Sequence, residues 1–162
     1  MNRSISLRPE SAEDAPFLLH LYATTRDYEM KVVDWDEVQK AEFLRMQFEL
    51  QTRHYRHYYP DAVFLIVELD GRPIGRLYID RSPEQILLMD IALMPQHRSA
   101  GIGGKLMEQL LTEARETKRP VRIHVERNNP ALRFYERLKF RLIEDKGIHL
   151  YMEWAPEVAT AN

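Results

Sequence analysis

The chain has 162 residues, of which 44% are hydrophobic and 30% charged, and its formal net charge at pH 7 is -2. This composition is typical of one globular domain, and the charge gives no electrostatic reason to expect a nucleic acid or a membrane as a partner. The absence of cysteine excludes disulfides, thiolate metal sites and a cysteine nucleophile.

The first third of the chain predicts one strand and two helices. Ile5 to Arg8 favour a short strand, and Ser11 followed by Asp14 three residues later is a helix-start signal. The helix behind it has an apolar face formed by Phe17, Leu18, Leu21 and Tyr22. A second helical region runs from Asp36 into the fifties and is predicted to end near Pro60. Neither a secretory leader nor an apolar run near the ~18 residues of a spanning helix is visible, so we expect a cytoplasmic protein.

Strands dominate the middle of the chain. We predict two strands, Val63–Leu69 and Ile74–Asp80. They form a hairpin, because Asp70-Gly71 after the first strand is a strong hairpin signal. The run from Ile86 to Met94 contains a single charge, Asp90, and is predicted to be a strand buried on both faces.

The last third alternates helices and strands. A helix after a glycine-rich loop carries an apolar face and is closed by basic residues and Pro120. Val121–Glu126 is the next strand, Asn129-Pro130 predicts a helix that runs to about Leu138, and Phe140–Asp145 and Ile148–Trp154 are two closing strands. The order predicts a mixed sheet with helices packed on it. The apolar face of the helix that follows the glycine-rich loop consists of Ile102, Leu106, Leu110, Leu111 and Ala114.

The glycine-rich loop predicts an anion site. It follows a buried strand and opens a helix, and its glycines at 101, 103 and 104 let main-chain N–H groups approach a ligand closely. Unpaired N–H groups and the positive dipole end of a helix suit a phosphate, and Arg98 adds a charged donor. Neither a Walker A loop nor Gly-x-Gly-x-x-Gly fits the spacing. The alternative is a glycine-rich turn that binds nothing.

Two segments resemble the GNAT superfamily of acyl-CoA-dependent N-acyltransferases. The first, Arg98-Ser99-Ala100-Gly101-Ile102-Gly103, matches the family motif R/Q-x-x-G-x-G/A. The second runs from Asn128 to Phe140 and is similar to N-x-x-A-x-x-L-Y-E-x-L-G-F, with Lys139 in place of the family glycine. A left-handed conformation at Lys139 would cost about 1 kcal/mol.

The resemblance implies a fold, a reaction and a cofactor. The fold class is α+β, with a central mixed sheet of about seven strands and helices on both faces, in one domain over residues 3–155 followed by a flexible tail at 156–162. Acetyl-CoA is the acyl donor, no metal is needed, and a homodimer is compatible with the family. The thioester is expected between the strand ending near Leu93 and the one ending near Val125, with the diphosphate held by the loop. The residues expected to touch the cofactor are Leu93, Met94, Arg98, Ser99, Ala100, Gly101, Ile102, Gly103, Gly104, Lys105, Asn128, Asn129, Phe134 and Tyr135; of the two asparagines, 128 fits the family motif better and 129 fits helix capping better.

Tyr135 is the candidate general acid for the departing CoA thiolate, and the alternative is a core tyrosine. The acceptor amine needs a base that removes its proton. With a pKa near 10.4, only about one amine in 2,500 is neutral at pH 7, and forming the neutral amine costs roughly 4.6 kcal/mol. Asp90, His124 and Glu126 are the candidates, and a water relay is a further option. The alternative for Asp90 is a carboxylate paired with an arginine. Without cysteine, direct transfer in a ternary complex is favoured over an acyl-enzyme.

A cluster of histidines and tyrosines from His54 to Tyr59 is predicted either to line the acceptor pocket or to form an ordinary helix end. His54 and His57 suggest no metal site, since no third ligand is apparent. The acceptor is expected to be a small-molecule amine. A protein N-terminus or lysine, a non-catalytic acyl-CoA sensor and a nucleotide-binding regulatory domain are the alternatives.

Overall fold

The structure, a computed structural model, describes residues 4–157. Its strands are β1 (Ile5–Pro9), β2 (Val63–Leu69), β3 (Arg72–Arg81), β4 (Ile86–Leu93), β5 (Val121–Glu126), β6 (Arg141–Asp145) and β7 (His149–Trp154). Its helices are α1 (Ala15–Thr25), α2 (Asp27–Val32), α3 (Glu37–Tyr58), α4 (Ile102–Thr117) and α5 (Leu132–Arg137). The predicted tail at 156–162 lies mostly outside the described residues.

The strands form one sheet in the order β1-β2-β3-β4-β5-β7-β6. β4 runs parallel to β5, with Ile86 opposite Val121 and Leu88 opposite Ile123. The pairs β1/β2, β5/β7 and β6/β7 are antiparallel. The predicted fold class, α+β with a mixed sheet of about seven strands, is therefore confirmed.

The chain divides into two compact units. The first is formed by the chain up to Tyr78 together with Asp90–Gly103, and the second by Ile79–Met89 together with the chain from Gly104 onward. In the first unit, Asp70 and Gly71 both have positive φ, of 51° and 81°, as the predicted hairpin turn between β2 and β3 requires. Its interior is mainly apolar, with Asp14 and Arg76 as buried charged residues, and its most deeply buried side chains include Leu21, Ile66 and Val67.

A buried carboxylate fixes the start of α1 in the first unit. Asp14 accepts hydrogen bonds from Arg8 Nη2 at 2.8 Å and Nη1 at 2.9 Å, and from the main-chain N–H of Ser11 at 2.8 Å. The hydrogen bonds from Arg8 lower the pKa of Asp14 to about 2, although burial acts in the opposite direction. The predicted role of Ser11 and Asp14 at a helix start is confirmed, and β1 supplies the countercharge.

α3 is a long helix with little burial. Asp36 caps it by accepting from the Gln39 N–H at 2.8 Å, and the Gln39 side chain accepts from the Asp36 N–H at 3.0 Å, a reciprocal capping pair. None of its 22 residues is fully buried. It ends at Tyr58, close to Pro60 as predicted.

β5 and the part of α4 from Gly104 onward belong to the second unit, and each of the two elements has an apolar face. All five residues predicted for the apolar face of α4 are at most 8% exposed. Val121, Ile123 and Val125 point inward from β5, where they pair with Trp154, Met152 and Leu150 of β7. α4 ends at Thr117 and is followed by Lys118, whose φ of 55° is left-handed. The Arg119 N–H donates to Ala114 O at 3.0 Å, the pattern of a Schellman cap.

Two predictions about local structure were partly wrong, and one helix was missed. β4 is fully buried only at Ile86, Leu87 and Leu88, and the rest of the strand is half-buried. α2 was not predicted. α5 begins at Leu132, after the predicted Asn129-Pro130 start. The Asn129 Oδ1 atom accepts a hydrogen bond from the Ala131 N–H at 2.8 Å, in the turn that precedes the helix.

No helix among residues 4–157 combines the length and the apolar character that crossing a membrane requires.

Candidate functional site

The glycine-rich loop connects the end of β4 to the start of α4. It opens with a short 3-10 turn, Pro95–His97, in which the His97 N–H donates to Met94 O at 2.9 Å. Ser99 and Gly101 then have positive φ, of 62° and 83°. This conformation carries no steric cost for glycine and is uncommon for serine. The backbone thus enters the left-handed region twice before α4 begins.

Main-chain N–H groups of the loop are available to a ligand. Within residues 4–157, those of Ser99, Ala100 and Gly101 have no hydrogen-bond acceptor. The first turn of α4 adds donors, since the first four N–H groups of an α-helix have no acceptor inside it. A Cβ added at Gly101 or Gly104 would meet no atom within 4 Å, so the backbone there faces open space. The first turn of α4 contains no acidic residue, and the loop therefore has the properties of an anion site.

Arg98 connects this loop to two elements of the first unit. Its Nε donates to Leu93 O at 3.0 Å, at the end of β4, and its Nη2 donates to Thr24 Oγ1 at 3.4 Å, in the last turn of α1. The side chain is nevertheless exposed. The sequence predicts that the Arg98 guanidinium binds a phosphate. In the structure, this guanidinium bonds the loop to β4 and α1.

Asp90 pairs with a buried arginine. Arg76 Nε of β3 donates to Asp90 Oδ2 at 2.6 Å, and Arg76 Nη2 contacts the same oxygen. Arg76 Nη2 also donates to Gln51 Oε1 of α3 at 2.8 Å. Because Arg76 is only 4% exposed, loss of Asp90 would leave a buried charge without its counterion. Of the two interpretations of Asp90, the pairing with an arginine is observed, and its role as a base stays a prediction.

Tyr135 belongs to the second unit, on α5. It is 7% exposed, and its ring lies 5.5 Å from that of Phe134 and 5.6 Å from that of Phe140. Asn128 and Asn129 precede this helix and are exposed. Lys139 ends it with φ 76°, and the Phe140 N–H donates to Tyr135 O at 3.1 Å. Lys139 thus adopts, in place of the family glycine, the left-handed conformation that is costly for an L-residue.

The other two candidate bases lie on β5, in the second unit. His124 is on the exposed side of the strand and stacks on Tyr151, with ring centroids 4.6 Å apart and an interplanar angle of 18°. Desolvation lowers the pKa of His124, and the charges of Lys146 and His149 lower it further, which favours the neutral imidazole that a general base requires. Glu126 is half-buried at the end of the strand.

A shallow surface cavity, wide open to solvent and with a volume of about 670 Å³, lies between α1 and α3 in the first unit. Tyr22 of α1 and Arg26, directly after α1, line one side. α3 contributes Gln47, Leu50, Gln51, Arg53, His54 and His57. Of the cluster that the sequence predicted to line an acceptor pocket, only His54 and His57 are among the lining residues. The His54 ring packs at 4.7 Å on that of Tyr58, which is 65% exposed. No group of three or more His, Asp or Glu side chains suited to a metal ion occurs in residues 4–157.

A model of the acetyltransferase (GNAT) family matches residues 28–140 of the chain, well over half of its length. The chain belongs to the GNAT acetyltransferase family. It is thus an acyl-CoA-dependent N-acyltransferase, with acetyl-CoA as the acyl donor. The matched range contains both segments on which the sequence resemblance was based.

Solved acetyltransferase structures share the fold. The PaiA N-acetyltransferase of Thermoplasma acidophilum, in complex with coenzyme A, superposes with a TM-score of 0.70 at 20% identity, over 94% of this chain and 99% of that one. An acetyltransferase from Thermus thermophilus gives 0.67 at 20% identity, over 94% and 97%. Arabidopsis thaliana Naa50, in complex with the bisubstrate analogue CoA-Ac-MVNAL, gives 0.61 at 16% identity, over 93% and 86%. No curated protein sequence matches the chain significantly.

This acetyltransferase contains one constraint near the loop that the sequence analysis missed. A Cβ on Gly75 of β3 would lie 2.3 Å from Ala92 O and 2.7 Å from Leu93 Cδ2. Gly75 therefore allows β3 to approach the end of β4 closely, where Arg98 bonds Leu93. A lone glycine inside a strand pattern is the signal that points to such an approach.

Proposed function

We propose that this acetyltransferase transfers an acetyl group from acetyl-CoA to the primary amine of a small molecule, by direct attack within a ternary complex. The observation that carries the small-molecule assignment is the cavity of about 670 Å³ between α1 and α3. Small-molecule sites have volumes of roughly 300–1,000 Å³ with a few polar groups that fix orientation. The cavity is open to solvent, its volume falls in this range, and its lining combines polar side chains with Tyr22 and Leu50.

The loop from Arg98 to Lys105 is proposed to bind the diphosphate of the donor. The free N–H groups of Ser99, Ala100 and Gly101 and the open space beside Gly101 support this role. An anion at this helix end is stabilised by the aligned peptide dipoles as well as by the hydrogen bonds. Main-chain groups at Leu93 and Met94 are proposed to hold the pantetheine arm, and Asn128, Asn129 and Phe134 to contact the cofactor further along.

In the reaction, the acceptor nitrogen forms a bond to the thioester carbon, and the carbon–sulfur bond breaks. Tyr135 is proposed to donate its hydroxyl proton to the leaving sulfur. The proton lost by the amine goes to a base. His124 is the candidate that the electrostatics favour, because its lowered pKa keeps it neutral, whereas one carboxylate oxygen of Asp90 is occupied by Arg76.

A peptide or protein acceptor is the second candidate within the same reaction class. The bisubstrate complex of Naa50 favours it, although that likeness at 16% identity concerns the fold. A non-catalytic acyl-CoA sensor is the third, and the tyrosine at position 135 argues against it, since binding alone needs no proton donor.

The test measures CoA thiol release from acetyl-CoA with a panel of small amines and a panel of peptides with free N-termini. We expect turnover with at least one small amine and little with the peptides. Tyr135→Phe is expected to lower kcat by about 100-fold, within the usual range for loss of a general acid, while calorimetry finds unchanged affinity for acetyl-CoA.

Tyr28→Phe is the matched control, because Tyr28 is 83% exposed and has no proposed role. Thermal unfolding of both variants checks that the buried Tyr135 tolerates loss of its hydroxyl. Turnover only with peptides would replace the small-molecule proposal. Tight binding of acetyl-CoA without turnover of any amine would favour the sensor.

A further inference from the structure

The cavity between α1 and α3 has a one-sided charge. Its lining includes two arginines and two histidines, and none of its eight lining residues is acidic. The glutamines and Tyr22 supply neutral polar groups, and Leu50 is apolar. A substrate with several positive charges would find no carboxylate there to replace its lost hydration, and so the lining disfavours polycations.

The two arginines differ in their partners. Arg26 Nη1 lies 2.9 Å from Glu29 Oε1, and this ion pair balances part of its charge. Arg53, one turn before His57 on α3, has no carboxylate within ion-pair distance among residues 4–157. Its guanidinium presents planar donors suited to a carboxylate or a phosphate.

The cavity is connected to the glycine-rich loop through contacts inside the first unit. Thr24, which accepts a hydrogen bond from Arg98, lies on α1 between Tyr22 and Arg26 of the lining. Gln51, also of the lining, accepts from Arg76, which pairs with Asp90 of β4. α1 thus contacts the loop directly, and α3 is linked to β4, the strand that the loop follows, through Arg76 of β3.

We propose that the acceptor is an amine that also carries an anionic group, a carboxylate or a phosphate, and that Arg53 binds this group. The inference rests on the proposed small-molecule acetyltransferase function and specifies its substrate class. Arg53 acts as a specificity-determining residue. The amine end reacts, and the anion at the other end is held by the guanidinium.

The experiment compares amines that differ only in the anionic group. The pairs are phenylalanine with phenylalaninamide, which tests a carboxylate, and phosphoethanolamine with ethanolamine, which tests a phosphate. We expect the anionic member of at least one pair to have a kcat/KM about tenfold higher or more, the factor that corresponds to one charge-assisted hydrogen bond. The pair that shows the preference distinguishes carboxylate from phosphate.

Variants of Arg53 assign the preference to this residue. Arg53→Gln is expected to raise KM for the anionic amine by about tenfold, with kcat nearly unchanged, and to leave kcat/KM for the neutral partner within about twofold. Arg53→Lys keeps the charge and is expected to recover part of the loss. Arg45→Gln, at an exposed position of the same helix outside the cavity lining, is the control and should change neither value.

The outcomes separate this inference from the proposed function. Equal turnover of both members of each pair, or an equal loss for both in Arg53→Gln, overturns the inference and leaves the acetyltransferase function standing. If no amine of the panel reacts, calorimetry measures the binding of the acetylated products in the presence of coenzyme A. The pairs are then N-acetylphenylalanine with its amide and N-acetylphosphoethanolamine with N-acetylethanolamine. Tighter binding of the anionic member, lost in Arg53→Gln, supports the inference, and equal or absent binding overturns it.

Discussion

The Nε atom of Arg98 donates a hydrogen bond to the carbonyl oxygen of Leu93 at 3.0 Å. This bond joins the glycine-rich loop to the last residue of β4, and the Nη2 contact with Thr24 joins it to α1. The same side chain is thus the proposed partner of a phosphate and a structural brace of the loop. Substitutions that separate charge from bracing distinguish the two roles.

Arg98→Gln is predicted to raise the Kd for coenzyme A by about 10- to 100-fold, because a charge-assisted hydrogen bond to a phosphate contributes roughly 1.5–3 kcal/mol. Arg98→Lys, which also lacks the Nε donor, is predicted to keep most of the affinity. Calorimetry at two salt concentrations measures both effects, and the salt dependence should be weaker for the glutamine variant. Equal losses in the two variants would assign Arg98 to bracing alone. Arg141→Gln, on the exposed strand β6, is the control.

Gly104→Ala is predicted to act in opposite directions on stability and on cofactor binding. The added Cβ has no atom within 4 Å, and alanine is favoured over glycine in a helix by up to about 1 kcal/mol, so the free protein should become more stable. A diphosphate against the first turn of α4 would meet that methyl group, and the Kd for acetyl-CoA should rise. Unchanged affinity, measured by calorimetry beside thermal unfolding, would place the diphosphate away from Gly104.

Gly75→Ala is predicted to destabilise the protein by about 1–3 kcal/mol, the usual range for an overpacked site. The new Cβ would lie 2.3 Å from Ala92 O, a backbone atom that cannot move alone. The end of β4 must shift, and we expect weaker binding of acetyl-CoA as well. Chemical denaturation and calorimetry test the two parts. Gly104→Ala is the comparison for stability, since its methyl group has room in the free protein.

The sequence predicts most of the elements here because their signals are local. Hydrophobic periodicity and turn residues are sufficient for β2, the Asp70-Gly71 turn and the apolar face of α4. α2 was missed because it is one turn and a half long and has only Met30 buried, with Tyr28 and Val32 83% and 75% exposed. Such a helix has too few buried positions to show a period.

The candidate site was predictable only where a motif is contiguous. The loop from Arg98 to Gly103 could be identified from its own residues. The partner of Asp90 could not, because Arg76 lies 14 residues away on another strand and the pairing depends on register. The cavity needs α1 and α3 packed together, and only the histidines of the predicted cluster line it.

Asp14 is predicted to make stability depend on pH in the acid range. Hydrogen bonds from Arg8 lower its pKa from 3.8 in the unfolded chain to about 2 in the folded one, so the unfolded state binds more protons between these values. The contribution, about 2 kcal/mol, is complete above about pH 4 and is lost as the pH falls through 2. Asp14→Asn should therefore be destabilised at pH 7, and its difference from the wild type should shrink below pH 4.

Urea denaturation of Asp14→Asn and the wild type between pH 2 and pH 7 measures this effect. Glu13→Gln is the control, because the exposed Glu13 precedes Asp14 in the 3-10 turn Ala12–Asp14 and should show no such trend. A difference between Asp14→Asn and the wild type that stays constant with pH would mean that the carboxylate charge is not the source of the stability.

Lys139→Gly is predicted to stabilise the protein by about 0.5–1 kcal/mol. Lys139 has φ 76° at the end of α5. This conformation costs an L-residue roughly 1–2 kcal/mol and costs glycine nearly nothing. The larger conformational entropy of glycine in the unfolded chain offsets part of the gain. Chemical denaturation checks the value. Lys139→Ala keeps the strain and should leave stability unchanged, whereas Lys40→Gly, inside α3, should lower it by about 1 kcal/mol. If Lys139→Gly proved no more stable than Lys139→Ala, the left-handed backbone would not be a source of strain at the end of this helix.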